Sequence, residues 1–258
     1  VATNEPLKIG RVDIVDTFAE AFPIVGTRLI VTAHNYAWAR TAASEFCGDA
    51  SSVIACDCEA AVERKLTEAE TPDSRPGVSI LAFAFSRDAL GKAMARRVGQ
   101  SILTCPTTAC FNGLFDIPKD KQISVGGQIR FFGDGFQGSK KLDGRRFWRI
   151  PVMDGEFICE DKFGTVKGVA GGNILIMGES SLAALKAAEV AARAMRAVPD
   201  IALPFPGGIV RSGSKVGSRY KKLPASTNDA YCPSLRGQTK SSISQDVEGV
   251  YEIVIDGL

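Results

Sequence analysis

Histidine is almost missing from this chain: His34 is the only one in 258 residues. A His-based catalytic triad, or a zinc site with several imidazole ligands, would have to rest on that one side chain. Cysteine is present but unpatterned. Cys47, Cys56, Cys58, Cys105, Cys110, Cys159 and Cys232 are odd in number, scattered, and contain no CxxC. Such spacing argues against a disulfide framework and fits free thiols in a reducing compartment. Cys56-x-Cys58 is too sparse for a structural metal, so no metal is expected. No apolar run reaches the about 18 residues that a membrane span needs, and the first residues do not read as a secretory leader. Charge of one sign is also lacking. Lys and Arg number 31 against 29 Asp and Glu, a net charge of +2, and no basic block is long enough for a nucleic-acid footprint. These absences predict a cytoplasmic protein that binds neither membrane nor nucleic acid.

What is present is an internal repeat. The length allows one large domain or two modest ones, with a core that needs no staples. Asp16-Thr17-Phe18 has a counterpart in Asp161-Lys162-Phe163, an offset of 145 positions. At the same offset Leu29–Thr32 falls on Ile174–Met177, both short apolar runs of strand character. Ala-rich segments with helical spacing follow each, Asn35–Phe46 and Ser180–Met195. In the second, Ser180 or Ser181 is placed to cap, and Leu182, Leu185, Ala188, Ala192 and Met195 are expected to line the buried face. The first copy continues with expected strands at Ser52–Cys56, Val78–Phe85 and Ile102–Cys105. Glu59–Gly77 reads as a charged loop, and Ser86 as the cap of a helix running to about Gly99. This β-α-β-β-α-β order predicts a ferredoxin-like unit.

A β-meander is expected next, with strands at Ile123–Phe132, Arg145–Val152 and Glu156–Glu160. Asp-Gly turns at Asp134-Gly135, Asp143-Gly144 and Asp154-Gly155 separate them. In the second copy, strand and helix lead through a long Pro/Gly stretch to Val250–Asp256. The expected fold is therefore α+β, two duplicated ferredoxin-like lobes joined by the meander, with residues 1–150 as the first lobe and 151–258 as the second. The second lobe is expected to be incomplete, the chain being C-terminally truncated by about 40 residues relative to the first copy.

Candidate chemistry concentrates near the end of the chain. Leu203–Pro233 (LPFPGGIVRSGSKVGSRYKKLPASTNDAYCP) is too rich in Gly, Pro and Ser for a regular element, yet its prolines make it rigid. Gly208-x4-Gly213 invites a P-loop comparison, but Ser214 stands where the lysine belongs, which argues against a nucleotide cradle. An anion site using Arg211 and Lys215, with Arg219, Lys221 and Lys222 nearby, or simple solvated charge, both remain open. Asn228-Asp229-Ala230-Tyr231 reads either as a hydrogen-bonding and stacking site for a flat heteroaromatic or as an Asx-type turn. Glu252 shares a strand face with Val250, Val254 and Asp256. It is either a solvent-facing Glu or a carboxyl that keeps its proton among apolar neighbours and can serve an oxyanion. Phe131-Phe132-Gly133-Asp134-Gly135-Phe136 fits a hairpin tip or the wall of a pocket. Cys105 is a nucleophile candidate without an evident base.

Taken together, several of these stretches resemble formylmethanofuran–tetrahydromethanopterin formyltransferase. They are Val15–Phe22 (VDTFAEAF), Thr71–Val78 (TPDSRPGV), Phe131–Phe136 (FFGDGF), Leu142–Arg145 (LDGR), Gly168–Asn173 (GVAGGN), Pro204–Val210 (PFPGGIV), Ser214–Gly217 (SKVG), Leu223–Pro233 (LPASTNDAYCP) and Val250–Ile255 (VYEIVI). They run nearly end to end. The resemblance implies two ferredoxin-like lobes and transfer of a formyl group between a methanofuran-type amine carrier and N5 of tetrahydromethanopterin, in one-carbon metabolism. The two carriers would be cosubstrates, with no tightly bound cofactor. It also implies that Glu252 is the catalytic carboxyl and that Pro206, Gly207, Gly208, Ser214, Lys215, Asn228, Asp229 and Tyr231 are substrate neighbours. A homo-oligomer is implied as well. The sequence pI near 8.2 is more like that of the bacterial members, which implies formyl-hydrolase subunits as partners and a glutamate-rich carrier tail for the basic residues after Val210. The alternative is a non-catalytic scaffolding subunit of such a complex.

Overall fold

The computed structural model describes residues 7–15, 17 and 21–258. The first member of the repeat, Asp16-Thr17-Phe18, and the centre of the VDTFAEAF stretch thus lie largely outside the described residues. One ten-stranded sheet organises the molecule. Its pivot is β1 (Phe22–Thr32), whose Leu29 and Val31 are fully buried. Helix α1 (Tyr36–Cys47) follows, with Asn35 capping it by accepting from the Trp38 N–H at 3.0 Å. Then come β2 (Glu59–Leu66) and β3 (Gly77–Ala84), the latter buried along its whole length. Helix α2 (Arg87–Arg97) is capped by Ser86, which accepts from the Ala89 N–H at 3.2 Å. A wider turn at Val98–Ile102 prolongs it before β4 (Ala109–Asn112). These four strands lie in the order β2-β3-β1-β4, all antiparallel. Alternation sends Leu29, Val31, Val78, Ile80 and Ala82 to one face, where Ala42, Phe46, Leu90 and Met94 of the two helices cover them.

Three expected elements are corrected. Ser52–Cys56 forms turns, and the second strand is Glu59–Leu66, within the expected charged loop. Its charges are absorbed by pairing: Arg28 of β1 binds Glu63 through two 2.8 Å bonds, and Ser79 donates to the same carboxylate at 2.5 Å. Ile102–Cys105 is not a strand. Val98 and Ile102 continue the Leu90–Met94 stripe at helical spacing, and the strand starts at Ala109. Ile123–Phe132 is not a strand either. After Gln122–Ser124 the chain makes short helical turns at Gly126–Ile129 and Arg130–Gly133. Gly126 packs so tightly there that a Cβ would sit 2.4 Å from the Glu160 carbonyl oxygen. Phe131, Phe132 and Phe136 are exposed, so the FFGDGF stretch is neither a hairpin tip nor a core element.

The meander consists instead of β5 (Gly138–Leu142), β6 (Arg145–Val152) and β7 (Gly155–Glu160), turning at Asp143-Gly144 and Asp154-Gly155. Strand β7 runs parallel to β4 and extends the sheet. From β8 (Val166–Gly178) the opening pattern returns. Val166–Ala170 pairs with β1, and Gly172–Gly178 pairs with β10 (Gly249–Gly257). Helix α3 (Ser181–Met195) starts 145 positions after α1 and is capped by Ser180, which accepts from the Ala183 N–H at 3.1 Å. Strand β9 (Ile201–Ala202) lies on the far side of β10. The order β9-β10-β8 repeats β2-β3-β1. Helix α3 buries Ala184, Ala188 and Ala192, the last packed with Ile253, whereas Leu182 is exposed. The expected stripe is thus rotated at its first turn, because small alanines rather than leucines allow the helix to approach the sheet. The helix-free faces of the two units meet at Ile24, Leu81, Phe83, Ala170 and Ala202. Among the described residues no helix is long and apolar enough to cross a membrane.

Candidate active site

Glu252 sits at the middle of β10, and alternation turns it away from the Ile253–α3 core. Its backbone is held from both sides. Leu175 of β8 is its ladder neighbour, and Val210 on the other side donates its N–H to the Glu252 carbonyl at 2.7 Å and accepts the Glu252 N–H at 3.1 Å. The side chain is only 2% exposed. One oxygen, Oε1, accepts from Asn173 Nδ2 at 2.9 Å and from Ser214 Oγ at 2.5 Å. The other, Oε2, has no partner among the described residues. A buried carboxyl oxygen without a partner costs about 1–3 kcal/mol. Glu252 lines a small cleft with Arg211, Gly213, Asn228, Tyr231 and Tyr251.

The long Pro/Gly stretch builds most of that cleft. Gly213 is required where it stands: its φ is +78°, and a Cβ would meet the Asn228 backbone nitrogen at 2.9 Å. That approach brings Ser214 to Glu252 and Asn228 to the cleft wall. Lys215 forms an ion pair with Asp229, and the Lys215 bond holds the Asp229 carboxylate below its usual range. These two therefore satisfy each other, as Lys215–Val216 pairs with Ala225–Ser226 in a two-stranded arm. Tyr231 closes a short 3-10 turn at Asp229–Tyr231, half-buried against the cleft.

Pro206, Gly207 and Gly208 lie elsewhere. They form a 3-10 turn and line a larger cleft of about 630 Å³, between the end of α1, β2 and Leu203–Phe205. The two clefts flank the segment whose Val210 bridges to Glu252. Cys47, in the larger one, has its thiol pushed up to about 12 by burial, so it is inert there. Cys105 is also pushed up by burial, and this removes the thiolate character that a nucleophile needs. Sequence reasoning missed Asn173 as a site residue. Its signals were an amide just before the apolar run Ile174–Met177 and its place at the end of the GVAGGN stretch. Among the described residues no three His, Cys, Asp or Glu side chains cluster as metal ligands.

Two family models cover almost all of the described chain. Residues 7–152 match formylmethanofuran–tetrahydromethanopterin formyltransferase, and residues 155–258 match the proximal lobe of the same family. The chain belongs to this family. A formylmethanofuran–tetrahydromethanopterin formyltransferase of Methylococcus capsulatus is 57% identical over 250 residues, covering 97% of this chain and 83% of the relative. A component of the formyltransferase/hydrolase complex of Methylorubrum extorquens is 51% identical, covering 97% of this chain and 81% of the relative. A crystal structure of that complex with methylofuran superposes with a TM-score of 0.92 at 50% identity, covering 98% of this chain and 83% of that one. The formyltransferase of Methanosarcina barkeri gives 0.90 at 45% identity, with coverages of 98% and 85%. The clefts beside the Val210 segment therefore lie in a chain whose family is named for formyl transfer between formylmethanofuran and tetrahydromethanopterin.

Proposed function

We propose that this chain transfers a formyl group between a methanofuran-type amine and N5 of tetrahydromethanopterin in one-carbon metabolism, with Glu252 as the catalytic carboxyl. The observation that carries the role of Glu252 is its Oε2, a buried oxygen with no partner among the described residues on a side chain that lines a cleft, beside an Oε1 held by two donors. Attack of the acceptor nitrogen on the formyl carbon forms a new C–N bond and places negative charge on the formyl oxygen. A proton on Oε2 can hydrogen-bond that oxygen. Collapse reforms the carbonyl, breaks the bond to the donor nitrogen, and leaves the donor as a free amine. The proton lost by the attacking nitrogen is the one gained by the leaving nitrogen, and Glu252 can relay it. Gly213, Asn228 and Tyr231 wall the reacting cleft, and Ser214 holds Glu252 from behind it. Pro206, Gly207 and Gly208 shape the neighbouring cleft, which has room for part of a carrier. Lys215 and Asp229 brace the arm rather than contact the reacting atoms. The carriers are cosubstrates, and no other cofactor enters these steps.

The finer architecture follows the same reading. The order β2-β3-β1-β4 with both helices on one face supports a ferredoxin-like first lobe, residues 1–150. The order β9-β10-β8 with α3 supports a second, partial copy in residues 151–258. The chain works in the cytoplasm as part of an oligomer and docks formyl-hydrolase subunits, in keeping with the Methylorubrum extorquens relative, which is named as part of a formyltransferase/hydrolase complex. The purified chain supplied with both carriers is expected to transfer the formyl group without hydrolase subunits. Transfer that appears only when a second catalytic subunit is added would favour a scaffolding role instead.

A further inference from the structure

We infer that Asn173 and Ser214 are positioning residues that fix which oxygen of Glu252 carries the proton. This rests on the acid role of Glu252 proposed above. Both residues converge on one atom. Asn173 Nδ2 is a pure donor and reaches Oε1 at 2.9 Å; the Ser214 hydroxyl donates to the same oxygen at 2.5 Å. An oxygen that already accepts two donors is the poorer seat for an acidic hydrogen. The hydrogen therefore favours Oε2, which has no partner among the described residues and belongs to a side chain lining the cleft. The two donors come from opposite sides of β10. Asn173 is on β8, in register with Val254 across the ladder. Ser214 arrives from the Pro/Gly stretch, where Gly213 lets the chain pass against Asn228. The charged and titratable groups lining the same cleft are Arg211, Tyr231, Cys232 and Tyr251, and none of them bonds either oxygen of Glu252. The arrangement explains why a long irregular segment is rigid. It must deliver one hydroxyl to one oxygen, and its prolines and the Lys215–Asp229 pair hold it for that purpose. An acid oriented by two donors is worth more than the same acid free to rotate, because the hydrogen is aimed before charge develops.

Three variants test the assignment in otherwise intact protein: Asn173→Ala, Ser214→Ala and Ser214→Thr. Each alanine substitution is expected to lower kcat on the order of tenfold while leaving the KM of both carriers nearly unchanged. Ser214→Thr keeps the hydroxyl and should restore most of the loss. In a Glu252→Gln background the same alanine substitutions should cost less than about twofold, because no acid remains to be aimed. A second readout does not depend on turnover. The infrared carboxyl band that disappears in Glu252→Gln should move to higher frequency in Asn173→Ala and Ser214→Ala, as its carbonyl oxygen loses donors. Additive losses in the Glu252→Gln background, effects confined to KM, or a band that stays fixed in both variants would overturn the assignment. Should Asn173→Ala fail to fold, Ser214→Ala carries the test alone. Should formyl transfer itself be absent, the infrared shift still decides it.

Discussion

Glu252 and Asp256 stand on the same face of β10, and both are buried, yet their surroundings differ. Glu252 has two donors on one oxygen, none on the other among the described residues, and lines a cleft. Asp256 faces Glu59 of β2 and, among the described residues, receives one backbone N–H, that of Gly171 at 3.3 Å. Burial first and the Glu59 carboxyl second push Asp256 up to about 9. It is therefore neutral in the folded protein at neutral pH, whereas an unfolded Asp ionises near about 4. Between those values the unfolded state binds fewer protons, so this contribution to stability is complete in acid and lost as pH rises towards 9. Asp256→Asn keeps a neutral group of the same shape that can donate to Glu59. Thermal unfolding followed from about pH 5 to about pH 9 should decline less steeply in Asp256→Asn than in the parent. An unchanged decline would place the pH dependence elsewhere. The sequence showed both acids on a mixed face, but it could not tell them apart. Their difference comes from Asn173, Ser214 and Glu59, which are distant in the chain and bear no local sign of the contact.

At the scale of elements, the sequence was most legible where capping and period agree. Asn35, Ser86 and Ser180 each cap a helix that the spacing predicts, and the two Ala-rich helices open at the repeat offset. Strands β3, β6, β7 and β10 follow apolar or alternating runs and lie where those runs predict, whereas β1 starts at Phe22, seven residues before the expected run Leu29–Thr32. The misses share a cause: partners from far away changed the meaning of a local pattern. Glu63 and Arg64 made β2 look like a loop, because Arg28, which neutralises Glu63, and Ser79, which donates to it, come from other strands. Ile102 read as a strand because its helical register with Met94 and Val98 passes through a widened turn. Ile123–Phe132 alternates in sequence, but Gly126 against the Glu160 carbonyl forces a turn. Helix α3 lies where its spacing predicts but is rotated, since alanine carries little hydrophobic signal and is favoured only by close approach.

At the scale of the whole molecule, the two units meet through their helix-free faces, and the Pro/Gly stretch crosses the second unit beside Glu252. The repeat was visible from the offset alone. The division of the stretch into two clefts was not, since Pro206–Gly208 and Gly213 differ only in which side of Val210 they occupy. The arm beyond Lys215–Val216 carries exposed Arg219, Lys221 and Lys222 and an exposed Tyr220. We propose that it meets an acidic tail of the furan carrier. Exposed pairs of that kind weaken with salt. The carrier KM should rise with ionic strength, and neutralising Lys221 and Lys222 together should raise KM at low salt and flatten that dependence. A KM indifferent to both would assign the charge to solvation. The central claim is the role of Glu252, and the turnover of Glu252→Gln with both carriers saturating tests it most directly. A fall in kcat on the order of 100- to 1000-fold with little change in either KM is the predicted result, and a kcat near that of the parent would contradict it.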